Sequence, residues 1–578
     1  AQNTTGSTNI AIGNNTMTAN TTGSRNIAIG HAAYQASDTE NDNMAIGYNA
    51  MTANTAGGTA NVAVGNYALD ALTSGDANVA VGDNALSANN SGGSNTSIGH
   101  ESLTANTTGG DNTAIGASAA TTNTTGARNV ALGHDALYTN ATGDDNTAIG
   151  MGALYHNAAS DNTAVGMYAL KANTTGTNNT SVGALSLTTN TTGANNTATG
   201  FEALKHTTTG NSNTSTGYQS LTDNTTGTNN TATGYRALKS NTTGTENTAT
   251  GAYALLNNTT GSYNAAVGKS TLQSNTTGLE NTGLGREALA TNTTGRSNTA
   301  TGYMASYFNT TGSYNTASGM SALQSNTTGS SNTASGYQAL KANTTGYNNT
   351  ASGAGAIKSN TTGTNNSALG ESALMANTTG TNNTATGYES LKSNTTGSYN
   401  AASGMYALQT NTTGAHNTAS GYEALRLNTT GSKNTASGNA SLYNNTTGID
   451  NTASGYYSMV SNTTGHYNTA MGMQSMRQNT TGTNNASFGK DAMYSNTTGA
   501  SNTATGVQAL RDNTTGDDNA ALGLNALLSN TTGSENTAVG TSALFTTTTG
   551  SNNIGLGRTA ISTSNTASGQ CTLGGSNI

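Results

Sequence analysis

The sequence predicts an all-β fold, a parallel β-solenoid in which each 17-residue repeat makes one coil. Three observations carry that prediction. The stretch "NTASGYQALKANTTGYN" at 332–348 begins again at Asn349 almost letter for letter. Repeat-opening asparagines fall at 9, 26, 43, 61, 78, 95 and onward to 553, and the 544 residues from the first to the last are 32 steps of 17. The composition is lean, with 74 Gly, no Pro, no Trp, 8% charged and 32% hydrophobic residues. A disordered chain of that polarity would not hold its apolar residues in strict phase.

Each repeat position has its own character. Position 1 is Asn and position 5 is Gly, as in Gly13, Gly116, Gly336 and Gly540. Alternation over positions 1 to 5 predicts a short strand. Position 3 is nearly always Ala, position 8 Ala or Ser, and position 9 the large apolar site, as in Leu69, Leu170, Leu340, Ile357 and Leu544. Positions 12 to 15 read "NTTG", which predicts a turn with Gly at positive φ. Strand, corner, second short strand and turn then complete one coil. Two Gly per repeat with abundant Thr and Asn cost too much propensity for a helix. Candidate ladder residues are Asn332, Gly336, Leu340, Asn349, Gly353 and Ile357, whose stacked amides and side chains would form columns. At roughly 4.8 Å per coil, about 34 coils predict a rod of roughly 160 Å.

Three segments are expected: a partial first coil at 1–8, the 17-residue array at 9–552, and shorter coils at 553–578. In the last segment "NIGLGRTAISTS" and "NTASGQCTLGGS" suggest twelve-residue coils that keep Ile561 and Leu573 as core residues and drop "NTTG" as a protruding loop. Asn577 and Ile578 would open an unfinished coil. Ends without a polar cap predict either a segment of a longer polypeptide or end-to-end stacking into a filament. One long step, 43–60, and one short step, 146–161, cancel, so the register predicts no internal domain boundary.

Positions 2 and 4 lie opposite position 3. They are apolar near the N-terminus (Ile10, Ile12, Val62, Val64), hydroxylated in the middle (Thr231, Thr233, Ser335) and partly apolar again later (Leu369, Met471, Phe488, Leu522). A narrow interior would not accept all of these, so this face is expected at a subunit interface.

Composition excludes several function classes. Lys and Arg total 18 against a net charge of −8, so no basic stripe exists for nucleic acid. No apolar run is long enough to insert into a bilayer. One cysteine, Cys571, excludes an intrachain disulfide framework. The histidines at 31, 100, 134, 156, 206, 416 and 466 are scattered, and Asp144–Asp145 and Asp517–Asp518 lack the nonapeptide spacing of calcium-binding rolls. No catalytic, metal or cofactor constellation converges. "NTT" also matches the glycosylation sequon, which makes Asn224, Asn343 and Asn360 candidate acceptors, although a turn demands the same letters. Regular Thr rows further suggest an ice-binding solenoid as an alternative.

"NIAIG", "NVAVG", "NTAIG" and "NVALG", each followed by a pair such as "AL", resemble the head repeats of trimeric autotransporter adhesins. The longer "NTAIGxxALxxNTTGxxN" is similar to repeats in bacterial and phage tail-fibre proteins. The resemblance implies a left-handed parallel β-roll, a homotrimer, an extracellular or cell-surface location and a non-enzymatic role as adhesin or fibre shaft. Its partners would be its own copies and a surface ligand that the sequence does not identify. The departures are a coil longer than the family's and the lack of a heptad stalk, anchoring barrel or chaperone domain within the sequence.

Overall fold

The computed structural model describes residues 3–575. It is an all-β parallel β-solenoid, and among the described residues there is no helix. The chain divides into two compact units, 1–294 and 295–578. The first holds strands β1 (Ile10–Ile12) to β17 (Thr282–Leu284), the second β18 (Thr299–Thr301) to β34 (Cys571–Leu573). Each strand is three residues long and occupies positions 2 to 4 of its repeat.

Within each unit, successive strands pair in parallel and in register. β20 (Thr333–Ser335) sets Thr333, Ala334 and Ser335 against Thr350, Ala351 and Ser352 of β21 (Thr350–Ser352). Like therefore lies over like, because a register slip would turn the buried Ala to solvent. Position 3 is buried throughout β2–β33, whereas positions 2 and 4 face outward. The core of each coil is small: Ala334, Ala339 and Leu340 are fully buried, as are Ala351, Ala356 and Ile357 one coil on. Burying one Leu contributes about 2 kcal/mol, so the polar ladders must supply much of the remainder.

The expected second strand is absent. After Gly336 the backbone runs through left-handed residues at positions 7, 9 and 17, here Gln338 (φ 56°), Leu340 (φ 50°) and Asn348 (φ 55°). A residue in this region cannot continue an extended strand. Inter-coil bonding nonetheless continues. Gln338 N–H donates back to Met320 O (3.0 Å), while Leu340 N–H donates forward to Ala356 O (3.0 Å) and Ala342 N–H to Lys358 O (2.9 Å). The left-handed cost, about 1 kcal/mol per residue, is met because the turn satisfies its backbone groups coil after coil.

"NTTG" is not a protruding loop. Thr344 N–H and Thr345 N–H both donate to Thr361 O (2.9 and 3.3 Å), so this stretch forms a wall of the coil. Its glycine is not at positive φ either. A Cβ on Gly346 would lie 2.4 Å from Asn343 Oδ1 and 2.4 Å from Gly363 O, so close approach demands glycine there. Gly336 carries both constraints, with φ 131° and a Cβ position 2.6 Å from Gly353 O.

Both changes of repeat length fall at the Thr–Thr corner. The long coil, 43–60, inserts Gly57 (φ 107°), whose N–H donates to Glu40 Oε1 at 3.1 Å. The short coil, 146–161, passes from Asn157 to Ala159 O without the usual pair of threonines, and both Asn146 and Asn157 donate to that carbonyl. The strand and the position-1 asparagine column keep their register across each change.

The C-terminal coils differ from the sequence expectation. β33 (Ile554–Leu556) pairs with β34 at the ordinary spacing, Ile554 against Cys571. Gln570 N–H donates to Asn553 Oδ1 (3.0 Å), and Thr548 N–H donates to Asn565 O (2.7 Å). Gln570 thus takes the position-1 role expected of Asn565, and the twelve-residue reading of 553–578 does not hold through β34. Ile561 (54% exposed) and Leu573 (62%) lie outside the core. In the partial first coil, Thr4 N–H already donates to Thr21 O (2.8 Å). Asn577 and Ile578 lie outside the described residues.

Candidate interaction surfaces

Two asparagine columns run through each unit. At position 1, Asn332 donates its amide to Gly346 O (2.8 Å) and Asn315 Oδ1 (3.2 Å). Asn349 repeats this against Gly363 O (2.9 Å) and Asn332 Oδ1 (3.1 Å). At position 12, Asn343 donates to Asn326 Oδ1 (2.8 Å) and to the same Gly346 O (2.9 Å). Where positions 1 and 12 are both Asn, the position-15 carbonyl therefore receives two amides of its own coil, and an Asn one repeat on takes the amide oxygen as its acceptor. Of the six ladder candidates, Asn332 and Asn349 stand in the position-1 column. Gly336 lies against Gly353, a Cβ on it falling 2.6 Å from the Gly353 carbonyl, and Leu340 and Ile357 are fully buried in successive coils.

The position-12 column breaks wherever another residue replaces Asn. Asn20, Asn54, Asn190 and Asn530 each carry a buried Oδ1 with no donor. One repeat above them stand Ser37, Leu72, Thr207 and Thr547, all buried and none bearing an amide. In the coil of Ser37 the gap is lined by Glu40, whose carboxylate accepts from Ser37 Oγ (2.8 Å) and from the backbone N–H of Asp38 and Thr39 (each 2.9 Å). Asn43 Nδ2 donates to the buried Tyr34 hydroxyl at 2.6 Å, and burial pushes that phenol up to about 12.

These contacts favour the turn reading of "NTT" over the glycosylation sequon. Asn224, Asn343 and Asn360 are fully buried. Asn360 Nδ2 spends both hydrogens, on Asn343 Oδ1 (2.7 Å) and Gly363 O (2.9 Å), while Asn224 Nδ2 donates to Gly227 O (3.0 Å). None of these three amides is exposed in the folded coil.

Stacking brings some titratable groups together across coils. His206 Nδ1 lies 3.2 Å from Asp223 Oδ1, and His100 Nε2 lies 3.8 Å from Asp83 Oδ2. Each such contact joins one His to one carboxylate, and among the described residues no group of three or more such side chains could hold a metal. Asp144 and Asp517 accept from the backbone N–H of Ala127 (2.8 Å) and Ala500 (2.7 Å). Arg128, bidentate on Asp145 at 2.7 and 2.8 Å, holds that carboxyl below its ordinary value. These aspartates thus brace adjacent coils.

Two exposed faces remain. The first is the strand face at positions 2 and 4, with Ile10 (48% exposed), Ile12 (60%), Leu369 (56%) and Leu522 (51%). The second is formed by positions 6, 7 and 10, and the sequence reading missed its aromatic content. Phe201, Tyr218 and Tyr235 stack at 5.5 and 5.3 Å, and His31 stacks on Tyr48 at 5.2 Å. The signal was present, since a bulky Tyr, Phe or Met recurs directly after the position-5 glycine. Charges at positions 7 and 10 pair within a coil: Lys205 Nζ meets Glu202 Oε1 at 2.7 Å, and Gln219 Nε2 donates to Glu202 Oε2 at 2.7 Å. Lys205 first, then Gln219, hold the Glu202 carboxyl below its ordinary value.

Comparison with protein-family models and with curated proteins finds no match. Function is therefore argued from these columns and faces. Among the described residues, no helix is long and apolar enough to cross a membrane.

Proposed function

We propose that this chain is a non-enzymatic structural segment of an extracellular fibre, an adhesin or tail-fibre shaft that self-associates as a homotrimer. One observation carries the reading: the strand face of a single chain leaves contiguous apolar columns, exposed at Ile10 and Ile12 and half-buried in the next three strands. Ile10 and Ile12 are followed in register by Ile27 and Ile29, Met44 and Ile46, and Val62 and Val64. Apolar columns of this extent mark a surface that other chains cover. Asparagine ladders that repeat without a convergent site suit a load-bearing, protease-resistant element.

Mass measurement by light scattering tests the assembly. The proposal expects three times the 57.4 kDa chain mass, falling toward one chain when Ile27 and Ile29 are both replaced by Asp. A single-chain mass at every concentration overturns the trimer.

A second reading has its own observation. In β12 (Thr197–Thr199), β13 (Thr214–Thr216), β14 (Thr231–Thr233) and β15 (Thr248–Thr250) both outward positions are exposed Thr. The two columns form a hydroxyl–methyl lattice spaced about 4.8 Å between coils and about 6.7 Å along each strand. Such a lattice could order water as an ice-binding face. Thermal hysteresis by the single chain would favour it, and no hysteresis at high protein concentration would end it.

A further inference from the structure

The face at positions 6, 7 and 10 carries notches in both units, and two of them, one in each unit, share a set of residue types. A further one in unit 2, about 390 Å³ and lined by Gln474, Asp491, Tyr494, Gln508, Arg511 and Asp512, lacks the glycine and the lysine of those two. In unit 1 a cavity of about 420 Å³ is lined by His134, Asp135, Met151, Gly152, Tyr155, His156, Tyr168 and Lys171. In unit 2 a cavity of about 190 Å³ is lined by Gly355, Tyr337, Lys358, Glu371 and Met375, among others. Each of these two notches sits at a glycine in left-handed position 7 (Gly152, φ 62°; Gly355, φ 67°). The Tyr168 ring packs over Gly152, 2.6 Å from where a Cβ would lie, whereas the Gly355 position meets only Ser372 Oγ at 3.7 Å. Each brings together a tyrosine, a position-10 lysine, a carboxylate from a neighbouring coil and a methionine. Lys171 Nζ lies 4.7 Å from the Tyr168 ring centroid, and Tyr155 stacks on Tyr138 at 4.9 Å, which holds the aromatic walls in place.

We propose that these notches bind neutral pyranose units of a glycan. Three features select that chemistry. Tyrosine rings offer flat apolar walls for the C–H face of a sugar while their hydroxyls stay wet. Each of the two notches has one lysine and one carboxylate, and in the first His134 and His156 join them, with His134 Nδ1 3.0 Å from Asp135 Oδ2. Such mixed donors and acceptors favour hydroxyl groups that both donate and accept over a ligand with net charge. The two volumes accommodate one or two sugar rings, and mixed apolar walls with few polar groups are the usual composition of a small-ligand site. Two weak sites on one chain would add avidity on a repetitive polymer. The proposal concerns ligand binding and does not require the trimer.

Saturation-transfer difference NMR on the full chain, with glucose, galactose, mannose and N-acetylglucosamine as separate probes, tests this. The repeat itself supplies foldable variants: position 7 accepts Gln at Gln338 and position 6 accepts Ala at Ala354. Tyr168→Gln with Tyr337→Ala is expected to abolish transfer to sugar ring protons without changing the melting temperature. Gly355→Gln, which refills the second notch, should lower the signal in the wild-type background and remove the remainder in Tyr168→Gln. No transfer to any of the four sugars overturns the proposal. So does transfer that survives the double variant, or competition by inorganic phosphate that displaces the sugar and exposes an anion site.

Discussion

Asn332 Oδ1 accepts two hydrogen bonds from Asn349, one from its backbone N–H at 3.0 Å and one from its side-chain amide at 3.1 Å. A buried residue thus caps the strand of the next coil and locks its own rotamer in one step. Asn332→Ala should leave the Asn349 N–H and amide without that acceptor, at a cost of about 1–3 kcal/mol. Denaturant unfolding of the variant measures it.

The broken column predicts a stabilising change. Thr207→Asn would give the orphaned Asn190 Oδ1 a donor and supply an acceptor for Asn224 Nδ2. The gain should be about 1 kcal/mol. A rise in the midpoint of chemical denaturation is the expected result, and no change would show that water already satisfies the site.

Core and surface should separate sharply. Leu340→Ala removes a fully buried side chain and should cost about 3 kcal/mol. Lys341→Ala, one residue away on the outer face, should stay within about 0.5 kcal/mol. Equal melting of the two variants would contradict the assigned inside and outside.

Gly336→Ala meets two obstacles, the φ of 131° and the Gly353 carbonyl 2.6 Å from the new Cβ. Gly57→Ala meets only the backbone cost, because nothing lies within 4 Å of its Cβ position. Calorimetry should show Gly336→Ala as the more damaging by at least about 1 kcal/mol.

Two titrations have definite signs. Glu202 has a folded pKa below its ordinary 4.5, so its stabilising contribution is present above that value and is lost as pH falls through the folded one. Its carboxyl resonance should titrate below 4.5. Tyr34 goes the other way: its folded value is raised from 10.0 to about 12, so its contribution is whole below pH 10 and is lost as pH rises toward 12. Spectrophotometric titration of the 24 tyrosines should leave a late fraction that Tyr34→Phe reduces by one residue, since Tyr155, Tyr388, Tyr422 and Tyr456 are also raised.

Periodicity made much of this legible. The position-1 asparagines, the position-3 alanines and the apolar site at Leu340 each appear in the sequence as a column, and each is buried as its pattern predicts. The outward face of positions 2 and 4 was readable for the same reason, since one face mixes Thr and Ile and the other does not. What escaped was conformation without a glycine to announce it. Gln338 and Leu340 adopt left-handed backbone with no local letter to signal it, whereas at position 17 the recurring Asn and Asp, as in Asn348, are letters that tolerate this region. Gly346 misled in the opposite sense: its glycine answers close approach, not positive φ. The C-terminal "NTASG" at Asn565 misled because the letters repeat while the backbone pairing puts Gln570 over Asn553.

The central claim is that residues 17 apart lie directly over one another. Spin labels at Thr333 and Thr435, both exposed position-2 residues of unit 2, test it most directly in a Cys571→Ser background diluted with unlabelled chain. Six coils separate them, so electron–electron dipolar spectroscopy should give a narrow distance near 29 Å, about 4.8 Å per coil. A broad distribution, or a separation that does not scale when Thr435 is exchanged for Thr452, would contradict the stacked-coil account.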